Sequence, residues 1–302
     1  MFELWVPITV AAAFMQNARS ALQKHLKGRL TDLGAAYVRF LYAWPFSLLY
    51  VLGLNQWGGM ALPEPNGWFL FYAVLGGLAQ IIFTVLLMVL FSFRNFAVGT
   101  TFSKTEVVQI AILGFLILGD ELTLWAITAI VTAAGGVIAL SMGQGRVSLH
   151  SMLVGLTERA TLIGLVCGAF LGGSVVFYRG AALALGYDGV VMAAAYTLAV
   201  SVVIQTVLMG LYLALCEPRT LRDVFVHWRW SLAVGVAGVL GSIFWFTAFT
   251  MQNAAYVRAV GQIELVFTFI ASVFIFRERT NWVEILGILL VGAGILLLLL
   301  TR

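Results

Sequence analysis

The sequence predicts an all-α membrane protein of ten transmembrane helices, arranged as two inverted five-helix repeats. Three observations carry that expectation. The chain has 302 residues, of which 62% are hydrophobic and 10% charged, whereas a soluble domain holds about 45–50% apolar and about 25% charged residues. The apolar residues gather in runs long enough to cross a bilayer, which takes about 20 residues each. The second half of the chain also repeats the first at a constant offset of 158 residues.

Ten runs qualify: 3–23, 33–54, 67–91, 95–118, 122–142, 160–179, 189–215, 230–251, 254–276 and 281–300. The first lacks the basic leader and cleavage site of a secretory signal and reads as a membrane helix. All are too long for barrel strands and lack their alternating pattern. Turn-forming stretches separate them: NQWGGMALPEPNG at 55–67, GQGR at 143–146 and CEPRT at 216–220. No connection is long enough for a soluble domain. Glycines recur every fourth residue at Gly164, Gly168 and Gly172, and every third at Gly235, Gly238 and Gly241. Such faces let helix backbones approach closely where lipid supplies no hydrophobic force.

Residues 94–141 lie on 252–299 without a gap. Asn95 falls on Asn253, Ala97 on Ala255, Glu106 on Glu264, Val108 on Val266, Asp120 on Glu278 and Gly136 on Gly294. Apolar matches are common between membrane helices, but a shared glutamate within one is not. Residues 1–142 and 152–302 therefore read as two copies of a five-helix unit. An odd number of spans per copy forces opposite orientations, the inverted-repeat design of many secondary transporters.

The stretches LILGDELTLWAITAIVTAAGGVIAL (116–140) and VFIFRERTNWVEILGILLVGAGILLL (273–298) each pair a short acidic turn with a glycine-bearing final helix. In this the chain resembles the drug/metabolite transporter superfamily, in its EamA-like branch. Arg39 in AAYVRFLYA is similar to an arginine common early in that family's second helix. The resemblance implies an EamA-like repeat in each half and a solute carrier with a central cavity lined by the first four helices of each half. It also implies a multi-pass protein of the inner, or plasma, membrane of a bacterial cell. Its lipid partner is the bilayer, and its assembly a monomer or homodimer.

Several classes are excluded by what the chain lacks. No GxxxxGK[ST] stretch is present, so any transport would draw on a gradient of solute or of protons. Cys167 and Cys216 have no metal-type spacing, and His25, His150 and His227 all fall in polar connections. No metal, no cofactor and no catalytic set is expected, and the chain reads as a non-enzyme. The basic residues are dispersed between apolar runs, so no nucleic-acid surface is expected.

Basic residues in connections set orientation. The odd connections hold Lys24, Lys27, Arg29, Arg94, Arg146, Arg159, Arg219, Arg222, Arg229, Arg277 and Arg279, against Arg179 and Arg302 on the other side. This distribution favours both termini outside, whereas members of the resembled family usually keep both in the cytoplasm.

An ionisable side chain at mid-membrane costs at least ~2.5–3.5 kcal/mol and usually marks a pathway. The candidates for a substrate or proton pathway are Lys104, Glu106, Arg258 and Glu264, with the amides Gln16, Asn17, Gln80, Gln109 and Gln262. Arg19 and Arg39 stand near the ends of their runs, where such side chains reach for the interface; Arg19 is kept as a pathway candidate. Gln205, Gln252 and Asn253 are further amides within the runs. Lys104 and Glu106 are two positions apart and do not face each other on a helix. Crossed pairs are expected instead, Lys104 with Glu264 and Arg258 with Glu106. Aromatic candidates for the cavity are Tyr37, Tyr178, Trp245 and Tyr256, with Trp44 beside them. Trp5, Trp57, Trp68, Trp228 and Trp282 fit the membrane interfaces.

These residues together suit a gradient-driven exporter of amino acids or related zwitterionic or amphiphilic metabolites, with protons as a candidate coupling ion. The alternatives are efflux of lipophilic cations and, in another class, an intramembrane lipid-handling enzyme.

Overall fold

The computed structural model describes residues 3–26, 29–91, 105–143, 159–274 and 281–300. Among them stand thirteen α-helices and no strand. In the first half these are α1 (Trp5–Leu26), α2 (Asp32–Leu41), α3 (Trp44–Gln56), α4 (Gly67–Phe91), α5 (Glu106–Leu118) and α6 (Leu124–Gly143). The second half holds α7 (Arg159–Ala184), α8 (Val190–Cys216), α9 (Pro218–Val226), α10 (Trp228–Met251), α11 (Ala254–Gly261), α12 (Ile263–Phe274) and α13 (Trp282–Leu300).

Short polar side chains start these helices by accepting a backbone N–H that has no partner within the helix. Thr31 accepts from the Gly34 amide at 3.2 Å, Asn66 from Phe69 at 2.8 Å, and Thr123 from Ala126 at 3.1 Å. Asn253 and Asn281 do the same for Ala255 and Glu284, both at 2.9 Å. Helix α5 ends at Gly119, whose φ of 69° is the left-handed conformation that glycine adopts without strain. The amides of Gly119 and Asp120 then close on the carbonyls of Phe115 and Gly114. The acidic turn noted in the sequence is thus a helix stop.

Seven helical stretches among the described residues are long and apolar enough to cross a membrane: 32–56, 67–87, 124–142, 161–184, 190–216, 228–251 and 282–300. Ten spans were expected, and three of the expected runs, 3–23, 95–118 and 254–276, are not among these seven. Helix α1 forms, but Gln16, Asn17 and Arg19 lower its hydropathy. The run 254–276 divides into α11 and α12 at Gln262. The stretch 95–104, with Lys104, lies outside the described residues, and the visible remainder of that run is the thirteen-residue α5. The run 33–54 is also divided, at Tyr42–Ala43, because Pro45 at the start of α3 cannot supply the amide that a continuous helix needs. The connection at CEPRT contains a further short helix, α9. Large apolar side chains such as Leu49, Leu116, Leu211 and Leu289 point outward, as a lipid-facing surface requires.

The chain forms two compact units, each built from both halves of the sequence. Unit 1 comprises residues 1–81 and 177–252; unit 2 comprises 82–176 and 253–302. In unit 1, α10 packs along α1 and α2, and α8 against α2 and α3. A side chain at Gly235 would meet the backbone of Tyr42 at 2.7 Å, and one at Gly241 would meet Met15 Cβ at 3.4 Å. The glycine face of α10 is therefore a packing face. Tyr37, Val38 and Phe40 of α2 join Met209, Leu213 and Val224 in one core. Phe69 and Ala73 of α4 join Ala181, Leu185 and Ala193 in another.

In unit 2, α6 and α13 pack antiparallel through glycines. A Cβ at Gly136 would lie 2.6 Å from Val291 N and 2.7 Å from Gly287 O. One at Gly294 would lie 2.7 Å from Ala133 N and 2.8 Å from Ala129 O. Under the 158-residue offset Gly136 becomes Gly294, Ala133 becomes Val291 and Ala129 becomes Gly287, so the two contacts exchange with each other.

Candidate functional site

The polar side chains within the helices fall into two groups, one in each unit. In unit 2 the organising element is α11, all eight residues of which are buried. Asn253 caps its start and Arg258 stands in its last turn. Glu106 is the first residue of α5. The Arg258 Nη2 donates to Glu106 Oε1 in a buried ion pair. The pair thus joins the C-terminal end of one helix to the N-terminal end of another. A cation at the first and an anion at the second are the signs that helix dipoles favour. The expected pairing of Arg258 with Glu106 is present. Its companion, Lys104 with Glu264, involves a residue outside the described set.

Glu264 lies in the first turn of α12, is buried, and is within electrostatic reach of Arg258. Both glutamates related by the offset therefore sit at the start of a helix. Gln262, between α11 and α12, is 1% exposed, and its Oε1 has no hydrogen-bond partner among the described residues. Gln109 Nε2 donates to Thr105 Oγ1 at 3.2 Å and to Leu165 O at 3.3 Å. Tyr256 is buried on α11. Cys167 is fully buried against Phe83 O, a packing residue as its surroundings in the sequence suggest.

Unit 1 holds a hydrogen-bonded triad of side chains. Tyr178 OH donates to Gln80 Oε1 at 3.0 Å, and Gln205 Nε2 donates to the same oxygen at 2.8 Å. Gln205 Nε2 also lies 2.9 Å from the Tyr178 hydroxyl oxygen. Gln80 and Gln205 line a cavity with Arg19, Arg39 and Ser242. Its remaining wall is apolar and includes Phe40, Leu198, Val202 and Phe246. The ring of Phe246 packs on that of Tyr178 at 4.8 Å. Trp245 Nε1 donates to Gln16 Oε1 at 3.1 Å, and its ring stacks on Phe249.

Several sequence expectations change here. Arg39 does not reach for an interface: it lines the cavity, with its guanidinium 5.0 Å from the Phe40 ring. Seven residues into a span that starts at Asp32, it stands about 10 Å along the helix. Arg19 lines the same cavity. Tyr37 faces a packed core, where glycine at position 210 leaves room for its hydroxyl. Asn17 is half-buried on α1 and is not among the cavity residues. Arg179 is not in a connection. It lies within α7 and donates to the carbonyls of Phe249 and Gln252 at 2.7 and 2.6 Å, closing the end of α10. Trp5 is buried, whereas Trp57, Trp68, Trp228 and Trp282 are exposed. Arg39, Gln205 and Ser242 are the polar cavity residues that the pathway set omitted.

Among the described residues no cluster of His, Cys, Asp and Glu has the makings of a metal site. A solved crystal structure, described only as that of a protein, shares 14% identity with a TM-score of 0.72. It covers 98% of this chain and 97% of its own, and this shows a common fold. Comparison with curated protein sequences gives no match. Residues 159–300 match the EamA-like transporter family. That match is to a family of the drug/metabolite transporter superfamily, and it fits the membrane-length helices described above.

Proposed function

We propose that the protein is a gradient-driven carrier of small metabolites, an exporter of amino acids or related zwitterionic or amphiphilic solutes, with protons as its coupling ion. The observation that carries this reading is the buried Glu106–Arg258 pair at two helix ends, in a chain whose second half matches a transporter family. Broken helices whose termini meet ions and substrates are a recurring device of secondary transporters. The pathway set is Glu106, Arg258, Gln262, Glu264 and Gln109, with Lys104, in unit 2, and Gln16, Arg19, Gln80, Tyr178 and Trp245 in unit 1. Asn17, Tyr37 and Tyr256 supply its second layer.

The full architecture we propose is ten spans as two inverted repeats, 1–142 and 152–302. The exchange of the Gly136 and Gly294 contacts under the offset, and the antiparallel run of α6 and α13, support it. The arginines of the unit 1 cavity count against efflux of lipophilic cations.

Uptake into proteoliposomes tests the proposal, with amino acids, nucleosides and cationic dyes as the panel and with or without a pH gradient. The expected result is saturable uptake of a zwitterionic solute, accelerated by the pH gradient. Uptake of the dyes alone would contradict it.

A further inference from the structure

Helix α9 joins the end of α8 to the start of α10. Both of those helices are long and apolar enough to cross a membrane. The nine residues of α9 rise only about 14 Å, so it stands at a membrane face rather than across it. Its seating on unit 1 is specific. Thr220 Oγ1 lies 3.2 Å from Thr31 Oγ1 at the start of α2, and the Tyr42 hydroxyl donates to Val224 O at 3.1 Å. A Cβ at Gly34 would come 3.2 Å from Thr220 Cγ2 and 3.5 Å from Val224 Cγ2. Thr220 and Val224, four residues apart, thus mark the packed face.

The opposite face carries Arg219, Arg222, Phe225 and Val226, all exposed. Trp228 and Arg229 follow at the start of α10 and are exposed as well, with the guanidinium carbon of Arg229 5.7 Å from the centre of the Trp228 ring. No carboxylate among the described residues pairs with Arg219, Arg222 or Arg229. Of the nearby acids, Glu217 accepts from the Thr220 hydroxyl at 2.9 Å, and Asp223 is exposed. The contact between Thr31 and Thr220 also brings the chain entering α2 to this helix. In sequence the stretches 24–32 and 217–229 hold six basic residues, Lys24, Lys27, Arg29, Arg219, Arg222 and Arg229, against Asp32, Glu217 and Asp223.

We infer that α9 and the start of α10 dock an anionic phospholipid. Its phosphodiester headgroup sits on Arg219 and Arg222, with Arg229 the next cation along the chain, and its apolar body lies on Phe225, Val226 and Trp228. Guanidinium groups present planar donor pairs that fit phosphate oxygens in two-point contact. A surface helix that interleaves cations with large apolar side chains suits the boundary between headgroups and acyl chains, and arginines beside a membrane span are drawn to anionic lipid. Free phosphate would meet the arginines but leave Phe225 and Val226 in water. A zwitterionic headgroup would bring a cation to a surface already rich in them. An anionic lipid satisfies both the charge and the apolar area.

The inference goes beyond the carrier reading, and its test does not involve transport. Purified full-length protein in uncharged detergent is titrated with dioctanoyl phosphatidylglycerol, dioctanoyl phosphatidylcholine and inorganic phosphate, and binding is read by calorimetry. Phosphatidylglycerol is expected to bind at least about 10-fold more tightly than phosphatidylcholine. Equal binding of the two lipids, or no binding of phosphatidylglycerol, overturns the inference, and this comparison needs no variant. Displacement of phosphatidylglycerol by inorganic phosphate at a similar concentration would assign the arginines to free phosphate and overturn the lipid. Each arginine near an anionic lipid is worth about 5-fold in affinity, so Arg219→Gln with Arg222→Gln should lose about 10- to 30-fold. Arg159→Gln removes an exposed charge at the start of α7 and should leave phosphatidylglycerol binding unchanged. Unchanged affinity in the double variant, or an equal loss in Arg159→Gln and Arg222→Gln, overturns the assignment to α9.

Discussion

Glu106 and Arg258 are the residues on which the interior of unit 2 depends. Each is enclosed by protein, with side-chain exposures of 2% and 8%, and each stands at the helix end whose dipole favours its charge. Removing one partner strands the other charge in an apolar setting, which costs about 3–5 kcal/mol. Glu106→Gln alone and Arg258→Gln alone should each lower the melting temperature in detergent markedly. The double variant Glu106→Gln with Arg258→Gln should lie above both, since no charge is then left unpaired. If the three variants melt in simple additive order, the two residues are not coupled. Exchanging the two charges should restore less than the double neutral variant, because each charge would then oppose its helix dipole. Arg179 offers a second check at this scale. Its two carbonyl contacts close α10, and Arg179→Gln should loosen the last turn of that helix. Hydrogen exchange of the amides around Thr250 and Met251 should then speed up, while that at Val234 stays slow.

Helices in this chain are held by small residues as much as by large ones. At Gly136, Gly287 and Gly294 the neighbouring backbone stands 2.5–2.7 Å from where a Cβ would be, so even alanine forces α6 and α13 apart. Overpacking of this kind costs about 1–3 kcal/mol. Gly135 and Gly292, on the same helices, have nothing within 4 Å. Gly136→Ala and Gly294→Ala should therefore destabilise the protein, and Gly135→Ala and Gly292→Ala should leave it unchanged or slightly more stable. Equal effects at all four positions would contradict the packing described. This contrast also marks the limit of what the sequence discloses. The apolar helices and the pairing of Arg258 with Glu106 were legible, because a charged residue in an apolar run needs a partner. Which glycine of Gly135 and Gly136 touches a neighbour was not, since both lie in one run and only the crossing angle separates them. The cavity role of Arg39 was hidden for a similar reason. An arginine near the start of the run 33–54 can reach outward or turn inward, and only the packing decides which. Helix α9 escaped notice because nine residues opening on a proline read as a turn.

At the scale of the whole molecule, the chain spends few charges and places a small number of them within its helices. Membrane insertion of such groups is costly, and a set of them stands in each unit. The basic residues of the connections bear on orientation, and Arg179 no longer belongs in that count because it caps α10. The remaining distribution still favours both termini outside. A reporter active only in the cytoplasm, fused after Arg302, should stay silent in cells; an active fusion would reverse that orientation. The central claim, that the protein carries solute, is tested most directly by counterflow. Proteoliposomes preloaded with an unlabelled zwitterionic amino acid are diluted into a trace of labelled solute, with no ion gradient imposed. The account expects a transient accumulation of label above its equilibrium level, present with the protein and absent from protein-free vesicles. Label that enters at the same leak rate in both, for every solute of the panel, would contradict it.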